Sequence, residues 1–129
     1  MDEFSKSLSE ITGYTDERFH VAAVKAYFDI MNKFQLSTAD AYTLIGSPER
    51  DVFDAWQRGE EGPRMTVDEM RTVSFLLRIH SALHTLFPDN EQAVAWVHRP
   101  NAHFGGKTPL EVMLVGRIED VQKHLDEKL

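Results

Sequence analysis

The stretch from Thr66 to Phe87 constrains the fold more than any other part of the chain. Thr66 and Glu69 have the spacing of a capping box, in which each residue satisfies a free backbone amide at a helix start. Apolar side chains then cover more than half of the helix circumference. They are Met70, Val73, Leu76, Leu77, Ile79, Leu83, Leu86 and Phe87. A helix this widely apolar needs several neighbours, so the sequence predicts a central helix in a bundle.

The remaining patterned segments also predict helices. The predicted helices cover residues 16–34, 37–45, 47–59, 66–87, 90–98, 108–116 and 118 onward. Ser47 is expected to cap the third of them, with Pro48 at its first position and Gly59 at its end. No segment alternates apolar and polar residues in the manner of a strand. We therefore expect an all-α fold.

Composition excludes several classes of protein. The 129 residues include no cysteine, which rules out disulfides and thiolate zinc sites and is typical of a reducing compartment. The start of the chain lacks the pattern of a signal peptide, and no apolar run approaches the roughly 18 residues of a membrane span. We expect a cytoplasmic protein. The net charge of −7 argues against a generally basic nucleic-acid binder.

The chain is predicted to have three parts. Residues 1–15 are mostly polar and are expected to form a flexible arm. Residues 16–64 are assigned to a helix-turn-helix region. Residues 65–129 are assigned to the central helix and a C-terminal helical module packed with that region.

The helix-turn-helix expectation comes from two short predicted helices joined by a turn at Gly46. Val52, Ala55 and Trp56 would face inward on the second helix. The residues expected to contact DNA are Ser47, Arg50, Gln57 and Arg58. Glu49, Asp51 and Asp54 lie on the same helix and would repel phosphates. The residues alone leave two interpretations open, a DNA-reading unit and an ordinary helix pair of a bundle.

Catalytic and metal-binding patterns are weak. His80 and His84 have the spacing of a helical metal pair, but Ser81 stands where a zinc protease has its glutamate. We expect a His80 that is hydrogen-bonded inside the core, no metal site and no cofactor. Phosphate loops, nucleophile elbows and dinucleotide fingerprints are missing from the sequence. A small metal-dependent enzyme that uses the two histidines remains the weaker alternative to a protein without catalytic activity.

The segment from Trp96 to Gly116 predicts a compact helical corner. Pro100 cannot continue a helix, and Asn101 readily bonds neighbouring backbone groups in a turn. Two glycines then allow backbone angles that are closed to other residues. Thr108 and Glu111 form a second capping box around a proline at the first helical position.

Residues 36–129 resemble the Xre/MbcA/ParS antitoxin family, the partners of RES-domain toxins. The resemblance includes the Trp56-to-Gly59 end of the helix-turn-helix and Arg71 on the following helix. Its most specific part is a series of residues in fixed order. They are Trp96, Pro100–Asn101, Phe104–Gly106, Pro109–Leu110 and Gly116. The acidic second helix departs from the family pattern, which bears on operator binding more than on toxin binding.

The resemblance implies an antitoxin that neutralises a RES-domain toxin, which consumes NAD or transfers ADP-ribose, by blocking its active-site cleft. It also implies a homodimer that represses its own operon by binding operator DNA. The residues expected to contact the toxin are Arg99, Asn101, His103, Phe104, Lys107, Glu111, Lys123, Lys128 and Leu129. The alternative is a transcription regulator whose C-terminal module only dimerises.

Overall fold

The computed structural model describes residues 17–129, and the predicted arm over residues 1–15 lies outside this range. Seven α-helices and no strand occur in the described range, which confirms the all-α prediction. The helices are α1 (Glu17–Lys33), α2 (Thr38–Leu44), α3 (Arg50–Gln57), α4 (Val67–Leu86), α5 (Asn90–His98), α6 (Pro109–Leu114) and α7 (Ile118–Asp126). A short 3₁₀ turn, Ala102–Phe104, lies between α5 and α6.

Among these helices, none combines the length and the hydropathy that crossing a membrane requires.

Helix α4 is the central helix that the sequence predicts. The Thr66 hydroxyl accepts from the Glu69 amide at 3.1 Å, and the Glu69 carboxylate accepts from the Thr66 amide at 2.7 Å. The helix packs against α1, α5 and α7. The sequence places Leu77 on the buried arc, but its side chain is 46% exposed. The arc prediction is wrong at this position because none of the helices packed on α4 covers it.

A single core joins the first helices to the last ones. Its fully buried side chains include Tyr27, Phe34, Phe53, Leu76, Ile79, Leu83, Val121 and Leu125. The Tyr27 hydroxyl donates to the Ala41 carbonyl oxygen at 2.5 Å and ties α1 to α2. Burial raises the pKa of Tyr27, so the phenol keeps its proton and stays a donor. His98 Nε2 lies 2.8 Å from the carbonyl oxygen of Phe34, the residue that follows α1, and so connects the end of α5 to the end of α1.

The turn between α2 and α3 corrects the predicted cap of the second helix. Gly46 and Ser47 both adopt left-handed backbone angles, with φ of +105° and +53°. The Ser47 amide donates to the Tyr42 carbonyl oxygen, and the Tyr42 hydroxyl donates to the Pro48 carbonyl oxygen. These bonds hold Ser47 and Pro48 in the turn, so Ser47 cannot cap the helix. Helix α3 starts at Arg50, and its N-cap Glu49 makes no side-chain capping bond.

The inward face of α3 is broader than predicted. Trp56 is buried as expected, whereas Val52 and Ala55 are only half-buried. Phe53, which the prediction does not include, is 0% exposed. Its ring meets the edges of Phe28 and Tyr42 at centroid distances of 5.5 and 5.2 Å. The three-residue spacing of Phe53 and Trp56 is the signal that could have identified this face.

Candidate functional site

The corner after α5 is built around Asn101. Its side-chain oxygen accepts from the His103 amide at 2.9 Å. Its backbone carbonyl accepts from the amides of Phe104 and Gly106, and its own amide donates to the Lys107 carbonyl oxygen. These bonds close the loop on itself and confirm the role predicted for Asn101 in the turn. The corner is therefore a rigid platform for the side chains beside it.

The glycines and the second cap complete the corner. Gly105 and Gly106 adopt φ of +67° and +88°, as their place in the predicted turn requires. Thr108 and Glu111 form the expected capping box at the start of α6. The amide and side chain of Thr108 stabilise the Glu111 carboxylate and lower its pKa. Gly116, with φ of +87°, follows the end of α6 as predicted.

A groove of about 440 Å³, here called the C-terminal groove, lies between this corner and α7. Its principal lining side chains are His103, Phe104, Lys107, Arg117, Asp120, Lys123 and His124. They come from the corner, the α6–α7 link and α7. The groove exists only because α7 folds back beside the corner, through its buried contacts with α4 and α6.

One wall of the C-terminal groove is a stack of aromatic rings. The rings of His103 and His124 lie face to face with centroids 3.8 Å apart. The Trp96 ring is nearly parallel to His124 at 6.3 Å, and Phe104 meets His124 edge-on at 5.3 Å. The stack joins α5, the corner and α7 into a preformed surface.

Sequence reasoning missed His124, which is only 9% exposed. Ile118, Val121 and Leu125 form the buried apolar stripe of α7. The position of His124 at the edge of this stripe is the signal that could have identified it. Burial lowers the pKa of His124, and the nearby His103 and Lys128 lower it further, against a smaller opposing effect of Glu127. The imidazole is therefore held in its neutral form at neutral pH.

We expect the folded chain to lose stability as the pH falls below the ordinary histidine pKa of about 6.5. The folded pKa of His124 is lowered, so the unfolded chain binds this proton more tightly. The stabilisation is complete above the unfolded pKa and is lost as the pH falls through the folded one. His80, whose pKa is also lowered by burial, acts with the same sign.

The measurement is the melting temperature of the wild type and of a His124→Gln variant at pH values of about 7.5 and 5.5. The variant should keep only part of the pH dependence, namely the part that His80 supplies. An equally large fall in the melting temperature of both proteins would exclude His124 as a source of the effect.

The charged rim of the C-terminal groove carries three basic residues and two acidic ones, Asp120 and Glu127. Arg117 bonds to Asp120 at 2.7 Å, so this pair is internally neutralised. Among residues 17–129, no ion pair engages Lys107 or Lys123, and both side chains are exposed. Two unpaired lysines beside an aromatic wall suit a partner surface that carries carboxylates.

The predicted toxin-contact residues divide into groups. His103, Phe104, Lys107 and Lys123 meet in the C-terminal groove. Arg99 and Asn101 line a neighbouring groove of about 640 Å³ beside Trp96. Glu111, Lys128 and Leu129 line neither groove, although Lys128 lies close enough to affect His124. Asn101 and Glu111 already use their side chains in the bonds of the corner.

The predicted DNA-contact residues lie on an exposed surface of the α2–α3 pair, but their charges have partners within the chain. Arg50 bonds to Asp54 at 3.2 Å, and its guanidinium lies 4.9 Å from the centre of the Tyr42 ring. Arg58 bonds to Glu60 at 3.0 Å. The Gln57 amide donates to the Thr38 hydroxyl at 3.3 Å. A DNA phosphate or base would have to displace these partners.

His80 of α4 does not make the hydrogen bond at Nε2 that a histidine satisfied inside the core would make. His80 is half-buried, and its Nε2 is buried without a hydrogen-bond partner. Its ring instead packs 4.3 Å from His84 and 5.6 Å from Phe34. These two ring contacts take the place of the expected bond at Nε2. Residues 17–129 contain no group of three or more side chains suited to hold a metal ion.

Comparison with known proteins relates the chain to a protein family and to a relative from a bacterium. Residues 82–127 match the model of the antitoxin Xre/MbcA/ParS C-terminal toxin-binding domain. Over 102 residues, the chain is 36% identical to the uncharacterized protein y4oB of Sinorhizobium fredii (strain NBRC 101917 / NGR234). That match covers 79% of this chain and 78% of y4oB. The matched domain contains the whole corner, the aromatic stack and the C-terminal groove. The chain belongs to the Xre/MbcA/ParS antitoxin family.

Proposed function

We propose that the chain neutralises a RES-domain toxin, which consumes NAD or transfers ADP-ribose, by covering the toxin's active-site cleft with the surface around the C-terminal groove. One observation carries the proposal. Every residue that lines this groove falls inside the segment that matches the toxin-binding domain. A chain with this role acts by binding, without catalysis and without a cofactor.

The geometry of the groove suits tight binding to a preformed surface. The aromatic stack and the bonds around Asn101 fix the wall before a partner arrives, so little conformational entropy is lost on binding. Lys107 and Lys123 can steer and orient an acidic surface of the toxin. His103 and Phe104 supply aromatic area of the kind that dominates binding energy in protein interfaces.

Co-expression with the toxin encoded beside this chain tests the proposal. The toxin alone should stop growth, the pair should restore it, and the two proteins should co-purify. A wild-type chain that neither co-purifies with that toxin nor protects the cells would support the alternative, a transcription regulator whose C-terminal module only dimerises.

We also propose that the α2–α3 pair binds operator DNA as part of a homodimer and so represses the chain's own operon. Two copies would present two α3 helices to half-sites about one helical turn of DNA apart. In this division of labour, residues 16–64 bind DNA, and the module that follows binds the toxin. The resemblance and the exposure of Arg50, Gln57 and Arg58 support the proposal, whereas their internal partners oppose it.

Replacing Arg50 and Arg58 by alanine should weaken binding to the chain's own promoter and leave the fold intact, because both side chains are exposed. The slope of log affinity against log salt should fall by about one unit for each phosphate that the variant no longer binds. Electrophoretic mobility shifts at several salt concentrations measure it, with Lys25→Ala on the surface of α1 as the control. If the wild-type chain shows no salt-sensitive binding to its promoter, the α2–α3 pair has only a structural role.

A further inference from the structure

His103 offers an open aromatic face in the C-terminal groove. The residue is exposed, and its ring stacks on His124 with 3.8 Å between the centroids and 22° between the planes. Within residues 17–129, the only other ring in contact with it is that of Phe104, which meets it edge-on at 5.0 Å. His124 is itself held between Trp96 and Phe104. A further ring can therefore stack on the face of His103 that points away from His124.

Two lysine ammonium groups are available in the same groove. Lys107 and Lys123 are exposed and enter no ion pair in the described part of the chain. Asp120 is bonded to Arg117, so Glu127 is the one acidic residue of this lining that no ion pair within residues 17–129 neutralises. The lining thus keeps two free positive charges against one negative charge, which favours an anionic ligand.

An aromatic face beside free ammonium groups matches the chemistry of a nucleoside phosphate. Histidine is among the side chains on which bases stack. Lysine binds phosphate oxygens through its three N–H donors and its charge. The groove volume of about 440 Å³ lies within the roughly 300–1,000 Å³ of ordinary small-molecule sites. The groove therefore has the ring, the charge and the space for such a ligand.

Two other grooves within residues 17–129 lack the excess of positive charge. The groove of about 640 Å³ beside Trp96 has Asp89 and Glu91 in its lining against Arg99. A groove of about 420 Å³ between α1 and the end of α3 is lined by Lys25 and Arg58 and by three acidic residues. An anionic ligand therefore fits the C-terminal groove better than either of them.

We propose that the C-terminal groove binds a nucleoside phosphate, with the base stacked on the open face of His103 and the phosphates held by Lys107 and Lys123. Stacking does not select the base, because every base has a ring face. A long nucleic acid fits less well, since the chain carries a net charge of −7 and the groove offers one open ring. This ligand goes beyond the proposed function, and it would occupy the groove that the toxin is proposed to cover.

Calorimetric titration of the full chain with ADP tests the site, with adenosine and inorganic phosphate as partial ligands. ADP should bind saturably and at least about tenfold more tightly than either, because adenosine lacks the phosphates and phosphate lacks the ring. The His103→Ala variant should bind ADP about 5- to 150-fold more weakly. The His103→Phe variant should keep most of the affinity, because it retains a ring for stacking.

The lysines are tested in the same way. The Lys107→Ala/Lys123→Ala variant should bind ADP at least about tenfold more weakly, and Lys25→Ala on α1 should bind it as the wild type does. All the substituted side chains are exposed, so every variant should melt as the wild type does.

Three results would overturn the proposal. They are no saturable binding of ADP by the wild type at millimolar concentrations, equal affinities for ADP and inorganic phosphate, and equal affinities of the wild type and His103→Ala for ADP. Tighter binding of a short single-stranded oligonucleotide than of ADP would also overturn it, in favour of a nucleic acid. Because the titrations use the chain without a toxin, none of these results bears on the proposed neutralisation.

Discussion

Replacing Leu125 by alanine should lower the free energy of unfolding by about 2–5 kcal/mol, a large fraction of the 5–15 kcal/mol typical of a domain. Leu125 is 0% exposed and belongs to the stripe that holds α7 against α4. The substitution leaves a cavity where α7 meets the core, since the surrounding helices relax only partly. Because α7 also forms one side of the C-terminal groove, the groove should be present only in the folded fraction of the variant.

Urea denaturation measures this change, and the chain offers a matched control four residues further on. Leu129 is 62% exposed, so Leu129→Ala removes the same atoms without opening a cavity. It should change stability by less than about 0.5 kcal/mol. Equal effects of the two substitutions would mean that α7 does not pack on the core as described.

Reversing the charge of Lys107 and Lys123 together should weaken binding to the toxin by about 10- to 100-fold, which corresponds to roughly 1.4–2.7 kcal/mol. Both side chains are exposed in the C-terminal groove, and no ion pair within residues 17–129 engages them. The Lys107→Glu/Lys123→Glu variant should therefore fold normally and repel an acidic toxin surface. Calorimetry with the purified toxin measures the affinity.

The control for that experiment is Lys25→Glu on α1, which changes an exposed charge away from the matched domain. It should leave the affinity unchanged. If the Lys107→Glu/Lys123→Glu variant binds the toxin as tightly as the wild type, the C-terminal groove is not part of the interface.

Local rules account for the parts of the fold that the sequence predicted correctly. The capping boxes at Thr66 and Thr108 each depend on residues three positions apart, so the sequence contains all their information. Ser47 does not cap the helix, because the hydrogen bond from the Tyr42 hydroxyl to the Pro48 carbonyl oxygen holds the turn in another conformation. A motif rule for helix caps does not include such a bond. The predicted burial of Leu77 was wrong because periodicity predicts an apolar helix face but does not indicate which part of that face a neighbouring helix covers.

The candidate site was predictable only in part for a similar reason. Pro100, Asn101 and the two glycines specify the corner by their own backbone preferences, and the structure confirms the turn they predict. The groove itself needs α7 to fold back beside the corner. The stack of His103 on His124 joins residues that are 21 positions apart, and periodicity within one helix carries no information about such a contact. The family resemblance supplied the expectation of a binding surface there, and the packing shows which side chains line the groove.

Hydrogen–deuterium exchange of the chain, free and bound to its toxin, would show whether the C-terminal groove lies in the interface. We expect slower exchange on toxin binding in the corner over residues 99–108 and in α7 over residues 118–126. Exchange in α2 and α3 should stay unchanged. Protection confined to α2 and α3, with no change around the C-terminal groove, would mean that the toxin binds elsewhere on the chain.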